Sequence, residues 1–104
     1  MELKKAAAGF AAMGAAPRLG VLRNLVKAGE AGLQVGEIAA RTGMAASTLA
    51  HHLKSLHSAG LISQVHEGRA TINRANYRHL EALAGYILEE CCLDTGAMEV
   101  VKNG

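Results

Sequence analysis

The sequence predicts a mostly α-helical domain that carries one small β-hairpin. Apolar residues recur at helical spacing over most of the chain, whereas β-branched residues gather in one short stretch around residues 61–74 with a glycine in its middle. The chain has 104 residues and half of them are apolar, which is enough for one core and too little for two. We therefore expect a single domain over residues 1–95, followed by a flexible tail over residues 96–104.

The first two helices are predicted over residues 2–13 and 17–28. Pro17 suits the first turn of a helix, where its missing N–H group would have no partner in any case. The expected apolar residues of the first helix are Leu3, Phe10 and Met13, and those of the second are Leu19, Leu22, Leu25 and Val26. Gly29 and the residues up to Gly32 should form a loop.

A helix-turn-helix is predicted next, with helices over residues 35–41 and 47–58 and a turn at residues 42–44. Leu49, Leu53 and Leu56 follow the spacing i, i+4, i+7 and should form one buried stripe. Ser47, Thr48, His51, Lys54 and Ser55 fall on other sides of the same helix. A helix that packs by one face and offers short polar groups on another can enter a DNA major groove.

The residue pattern changes from helical to strand-like after Gly60. Residues 61–66 and 70–74 read as two strands that turn at Gly68, which places Arg69 at the tip of a hairpin. Asn76 should cap a fifth helix whose apolar positions are Leu80, Leu83, Ala84, Ile87, Leu88 and Cys91. Helices and hairpin in this order make a winged helix-turn-helix, in which the hairpin is the wing.

The charge distribution agrees with a nucleic-acid partner. Residues 17–78 contain eight Lys and Arg against three Glu, a net charge of +5, whereas residues 79–104 contain one Lys against five acidic residues, a net charge of −4. We expect double-stranded DNA to meet the basic part, with Arg69 on phosphate. The predicted DNA-binding residues are Ser47, Thr48, His51, His52, Lys54, Ser55 and Arg69.

Several other classes of protein are disfavoured. No apolar run approaches the ~20 residues of a membrane span, so we expect a cytoplasmic protein without a membrane partner. The two cysteines are adjacent and cannot close a loop, which argues against a secreted disulfide scaffold. No catalytic triad, carboxylate pair or phosphate loop can be placed, so we expect no enzyme and no required cofactor.

Four segments of the sequence resemble the ArsR/SmtB repressors: residues 14–19, 35–39, 47–54 and 59–62. The resemblance implies a homodimer joined through the first and last helices, bound to operator DNA as a repressor and released by an inducer. Many relatives carry glutamine and serine where this chain has Ala46 and Ala50. Base readout should therefore depend more on Ser47, Thr48 and His51, or on DNA shape.

Cys91 and Cys92 resemble the Cys-Cys ending on the last helix of one ArsR subgroup, and we expect them to bind the inducer. The Cys-x-Cys of other sensors is absent from the third helix, and His79, Glu89 and Glu90 are badly spaced for the zinc site of the family. Thiolates select soft centres such as As(III) and Sb(III). Because residues 93–104 contain no third cysteine, methylarsenite, which brings its own carbon ligand, is a candidate beside arsenite and antimonite.

Other interpretations stay open. Cys91 could be a small apolar residue in a dimer seam, or the thiols could sense oxidants or sulfur species. The chain could also be a regulator of the same fold that responds to no metal, or a protein-interaction module. Arg41, Lys54 and Arg69 argue against the last of these, because such modules tend to lose a basic groove-facing surface.

Overall fold

A computed structural model describes residues 1–96 of the chain. The order of elements in this part is α1 Leu3–Met13, α2 Ala16–Ala28, a 3₁₀ turn Gly29–Ala31, α3 Val35–Thr42, α4 Ala46–Ser58, β1 Ile62–Glu67, β2 Ala70–Ala75 and α5 Tyr77–Leu88. The predicted mostly helical fold with one hairpin is confirmed. The predicted tail of residues 96–104 lies outside the described residues except for Gly96. No helix within residues 1–96 is both long enough and apolar enough to cross a bilayer.

The core lies where α2, α3 and α4 meet the base of the hairpin. The predicted stripe of α4 is confirmed, since Leu49, Leu53 and Leu56 are each at most 3% exposed. Other side chains that the core buries completely or nearly so are Val21, Leu25, Ile38, Leu61 and Leu83. These are aliphatic side chains, as expected from a composition with three aromatic residues.

The turn between α3 and α4 is closed by backbone geometry and one hydroxyl group. Gly43 ends α3 in the left-handed region, with φ of 73°, and donates its N–H to the carbonyl of Ala39. The Thr42 hydroxyl donates to the Ile38 carbonyl at 2.8 Å and accepts from the Met44 N–H at 3.3 Å. The start of α3 carries a capping box between Gln34 and Glu37. These local bonds set where the two helices begin and end.

The faces that α1 and α2 bury differ from the predicted ones. In α2, Leu19 and Val26 are 40% and 42% exposed, and Val21 is buried instead. In α1, Leu3 is 69% exposed, while Ala6, Gly9 and Ala12 are buried. A Cβ atom on Gly9 would lie 2.8 Å from Leu83 Cδ1, so α1 and α5 cross too closely for a larger residue. The small residues of α1 are buried because they permit this approach.

The hairpin has the predicted two strands, with Glu67 paired to Ala70 and Ile62 paired to Ala75. Gly68 and Arg69 form the turn, and Gly68 has φ of 63°, as a two-residue hairpin turn requires. An additional antiparallel bridge joins Asn73 of β2 to Leu33, between the 3₁₀ turn and α3. The wing is therefore attached to the helical core along β2.

The last helix begins as predicted and ends earlier. The side chain of Asn76 accepts a hydrogen bond from the His79 N–H at 3.2 Å, which confirms the cap. The expectation that α5 continues through Cys91 is wrong, because α5 ends at Leu88 and residues 89–96 form turns with bonds such as Cys91 N–H to the Leu88 carbonyl. Glu89 and Glu90 place negative charge where the helix dipole is already negative, which disfavours further turns of helix.

Candidate functional site

The outward side of α4 carries the polar residues predicted to meet DNA. Ser47, Thr48, His51 and Lys54 are exposed. At about 100° per residue, Ser47, His51 and Lys54 lie nearly opposite the buried leucine stripe. Because the stripe is held in the core, the orientation of these three side chains relative to the domain is set by packing. The arrangement can offer hydroxyl, imidazole and ammonium groups to a groove of about the width of a helix.

The structure separates His52 from the other residues of this set. His52 is half-buried, and its Nδ1 accepts a hydrogen bond from Arg18 Nε at 3.4 Å. Arg18 also donates to the carbonyl of Ala12 at 3.2 Å, near the end of α1. The ring of His52 thus lies toward α2, at the side of α4. Ser55 is half-buried as well and borders an open groove of about 600 Å³ between α1 and α4.

The wing places Arg69 as predicted. This side chain is exposed at the hairpin turn. Between the wing and α4 lies a second groove, of about 290 Å³, whose polar lining includes Lys54, His57, Gln64 and His66. The His66 ring and the Thr71 hydroxyl are hydrogen-bonded at 3.0 Å on the surface of the hairpin. Lys54 therefore borders both grooves and lies between the wing and α1.

Sequence reasoning did not include His57 and Gln64 in this surface. Two signals in the sequence point to them. Gln64 and His66 are two residues apart on β1 and so share a face of the strand, and His57 follows Lys54 by three residues on α4. What the sequence does not show is that the hairpin folds back against this side of α4, which brings the two pairs together.

The two thiol groups lie in the turns that follow α5. Cys91 Sγ and Cys92 Sγ are 3.1 Å apart, well beyond the ~2.05 Å of a disulfide bond, and both residues are half-buried. Cys92 has φ of 62°, a left-handed conformation that is uncommon for a residue with a side chain. The hydrogen bond with Cys92, together with burial and the proximity of a second thiolate, raises the pKa of Cys91 above its usual value.

The residues considered for a zinc site do not come together. Within residues 1–96, no three His, Cys, Asp or Glu side chains are placed to hold a metal ion. His79 packs against Gly60 with its Nε2 buried and without a hydrogen-bond partner, whereas Glu89 and Glu90 are exposed beyond the end of α5. Within residues 1–96, the soft ligand atoms that lie close together are the sulfur atoms of Cys91 and Cys92.

Comparison with known proteins identifies the same architecture elsewhere. Residues 18–64 match the model of the bacterial regulatory proteins of the arsR family. An ArsR-like transcriptional regulator from Rhodococcus sp. RHA1 is 28% identical, with a TM-score of 0.74 over 88% of this chain and 82% of that one. No curated protein matches the sequence.

Two further solved structures share the fold along most of the chain. The homodimeric winged helix-turn-helix DNA-binding domain of Mb0332 from Mycobacterium bovis is 28% identical, with a TM-score of 0.67 over 86% of this chain and 82% of that one. HlyU from Vibrio cholerae is 26% identical, with a TM-score of 0.68 over 88% of this chain and 99% of that one. The family model covers most of α2, the helix-turn-helix and the first three residues of β1, and the structural matches extend over both flanking parts. Residues 18–64 are therefore similar to the DNA-binding regulators of the arsR family, and the fold along most of the chain is the winged helix-turn-helix of such regulators.

Proposed function

We propose that this protein is a homodimeric repressor that leaves its operator when a trivalent arsenical binds Cys91 and Cys92. The observation that carries this proposal is the distance of 3.1 Å between the two sulfur atoms. Two thiols at this separation can bind one soft centre without a rearrangement of their backbone. The proposal has three parts, which are the dimer, the contact with DNA and the response to the inducer.

The dimer is supported by apolar side chains that one chain leaves exposed. Leu3 of α1 and Ile87 of α5 are 69% and 65% exposed, and Leu88 is 48% exposed. The two helices that carry them pack against each other at Gly9 and Leu83. Burial of large aliphatic side chains is worth about 1.5–3 kcal/mol each, which favours a second copy at this position. The Mycobacterium bovis relative is homodimeric.

The contact with DNA is supported by the outward face of α4 and by the tip of the wing. In a two-fold dimer, two such helices can enter successive major grooves about 34–36 Å apart. Ser47, Thr48 and His51 would read base edges, and Lys54 and Arg69 would hold phosphate. His52 and Ser55, which are half-buried, would support the helix at its side and have less access to the bases.

The inducer chemistry follows from the donor set. A methylarsenic(III) dihydroxide forms two As–S bonds with the thiols of Cys91 and Cys92, and each hydroxide leaves as water with the proton of one thiol. Methylarsenite then has two sulfurs and one carbon, which completes three-coordination. Arsenite and antimonite need a third ligand, and residues 1–96 provide no third thiol. We therefore expect methylarsenite to bind more tightly than either inorganic species.

The response to the inducer would pass through the proposed dimer interface, which lies next to the thiols. Cys91 lies three residues after Leu88 and bonds to the Leu88 carbonyl through its own N–H at 2.9 Å. A metalloid bridging both sulfurs restrains this turn and the left-handed Cys92, and so shifts Ile87 and Leu88 in the dimer seam. Couplings of this kind amount to about 1–3 kcal/mol, a change of about 5–150-fold in operator affinity.

The test is a comparison of variants in DNA release. A labelled operator-containing duplex is titrated with parent protein and with Cys91→Ser/Cys92→Ser, each with and without methylarsenite, arsenite and antimonite. We expect equal DNA affinity without inducer and loss of release in the double variant. The matched control, Asp94→Asn, changes an exposed residue that follows the thiols and should respond as the parent does. Normal release from the cysteine-free protein would overturn the assignment of the inducer site.

Thiol oxidation is the second candidate, and the contact between the two sulfur atoms favours it as well. Loss of two electrons and two protons to a peroxide would join Cys91 and Cys92 in a disulfide and produce water. One solved relative at 25% identity is the reduced form of HlyU. Release of DNA by peroxide or by a persulfide at concentrations where methylarsenite has no effect would select this candidate over the arsenical.

A further inference from the structure

A buried asparagine lies at the base of the wing. Asn73 is 0% exposed, and among residues 1–96 it is the one polar residue that is buried. Its side-chain amide nitrogen donates to the Leu33 carbonyl at 3.2 Å, and its side-chain oxygen accepts from Gln64 Nε2 at 2.9 Å. Burying an amide is costly unless such bonds are made, so the position of Asn73 is determined by its two partners.

The backbone around Asn73 joins the same three segments. Leu33 and Asn73 exchange two N–H to carbonyl bonds, each of 2.9 Å. A Cβ atom on Gly32 would lie 2.6 Å from the Asn73 carbonyl oxygen, so the α2–α3 connection passes directly against β2. Arg74 Nε also donates to the carbonyl of Glu30 in the 3₁₀ turn. We call this set of contacts, made by Glu30, Gly32, Leu33, Gln64, Asn73 and Arg74, the wing anchor.

We propose that Asn73 is a positioning residue that sets the angle of the wing and thereby places Arg69 on the DNA backbone. The inference rests on the proposed contact of Arg69 with phosphate. Asn73 is suited to this role because its side chain joins the two wing strands to each other through Gln64 and to the helical core through Leu33. The strand pairing already sets Gln64 opposite Asn73, and the side-chain bonds of Asn73 add a link between this pair and the Leu33 carbonyl of the helical core.

The geometry of a lever shows why the anchor matters for binding. Arg69 is four residues from Asn73 along the strand, which at about 3.4 Å per strand residue is a reach of about 14 Å. A change of about 10° at the anchor would move the tip by about 2 Å. Direct charge-assisted hydrogen bonds require about 2.7–2.9 Å, so a displacement of this size breaks them. The wing would remain folded and would miss its phosphate.

The experiment measures how DNA affinity depends on salt. Parent, Arg69→Ala, Asn73→Leu and the double variant are titrated with a mixed-sequence duplex at several salt concentrations. Each phosphate contact contributes about 0.9 to the slope of log K against log salt, so Arg69→Ala should lower the slope by about 0.9 for each wing. We expect Asn73→Leu to lower it by the same amount, and the double variant to show no further decrease.

A purely structural role of Asn73 is distinguished by two other variants. Gln64→Leu removes one hydrogen bond of the Asn73 side chain. It replaces Asn73→Leu in the salt titration if Asn73→Leu does not fold. Gln64→Leu/Asn73→Leu removes both partners and so should regain stability, yet its slope should stay at the Arg69→Ala value. Asn24→Leu is the matched control, because Asn24 donates to the Gly20 carbonyl on α2, away from the wing. Its slope should equal that of the parent.

Each outcome separates this inference from the function on which it rests. If Arg69→Ala lowers the slope while the Asn73 and Gln64 variants keep the parental value, or add to the effect of Arg69→Ala, the positioning role is overturned and the wing contact stands. If Arg69→Ala itself leaves the slope unchanged, the contact of Arg69 with phosphate is overturned, and the positioning role falls with it.

Discussion

The part of the chain that we propose to face DNA and the part that carries the thiols differ in how completely one chain stabilises them. The helix-turn-helix and wing are closed by internal bonds, with Leu49, Leu56 and Ile38 fully buried and the Asn73 side chain bonded to Gln64 of β1 and to the Leu33 carbonyl. Beyond Leu83, by contrast, α5 exposes Ile87 and Leu88, and its helix gives way to turns.

The contrast suggests a division of roles in this regulator. A surface that reads DNA must keep its shape in every copy, and here the packing of a single chain supplies that shape. An end that must respond to an inducer needs alternatives of similar free energy, and these are found where few contacts hold the chain. The Cys91 and Cys92 sulfur atoms lie in the turns that follow the end of α5.

The strongest test of this division is a matched pair of leucine substitutions. Leu56→Ala creates a cavity in the core below α4 and should lower the free energy of unfolding by about 2–5 kcal/mol. Leu88→Ala, at a side chain that is 48% exposed, should change the unfolding of the single chain by no more than about 0.5 kcal/mol.

The same pair should separate folding from association. With Leu88→Ala, sedimentation should show dimerisation weakened by about tenfold or more, because each dimer loses two contacts, while Leu56→Ala should retain the parental association of its folded fraction. Chemical denaturation at several protein concentrations measures both effects. Parental self-association of the Leu88 variant would mean that this face is not the dimer seam.

A smaller effect is expected at the crossing of α1 and α5. Gly9→Ala introduces a Cβ atom 2.8 Å from Leu83 Cδ1, and Leu83 is 1% exposed and has little room to move. Overpacking should exceed the gain in helix propensity and lower stability by about 1 kcal/mol. Gly20→Ala in α2, where nothing lies within 4 Å of the added atom, should instead raise stability by up to about 1 kcal/mol. Thermal denaturation of the two variants compares the signs directly.

The smallest effect concerns the proton on Cys91. Since Cys92 raises the pKa of Cys91, the thiolate of Cys91 forms at higher pH than that of an ordinary cysteine. Alkylation of Cys91 by iodoacetamide should therefore rise with pH along a curve displaced to the alkaline side. Cys92→Ala removes the hydrogen bond and should move the curve to lower pH. An unchanged curve would show that the two thiols do not interact as the structure places them.

Much of the DNA-facing half was predictable from sequence. The leucine spacing on α4, the glycine of the helix turn, the Gly68-Arg69 hairpin turn and the Asn76 cap are local patterns, and each appears in the structure within about a residue of its predicted place. Local patterns suffice there because hydrogen bonds between near neighbours determine where those elements begin and end.

The sequence by itself thus determined the order of elements, the buried stripe of α4 and the exposed position of Arg69. Only the tertiary structure decided which faces of α1 and α2 are buried, because a close helix crossing selects small residues such as Gly9 over Leu3. It also decided the burial of Asn73, whose partners Leu33 and Gln64 are distant in sequence or across a strand, and the early end of α5 that brings the two sulfur atoms together. These features depend on the shapes and polar groups that other segments present, and no local pattern contains that information.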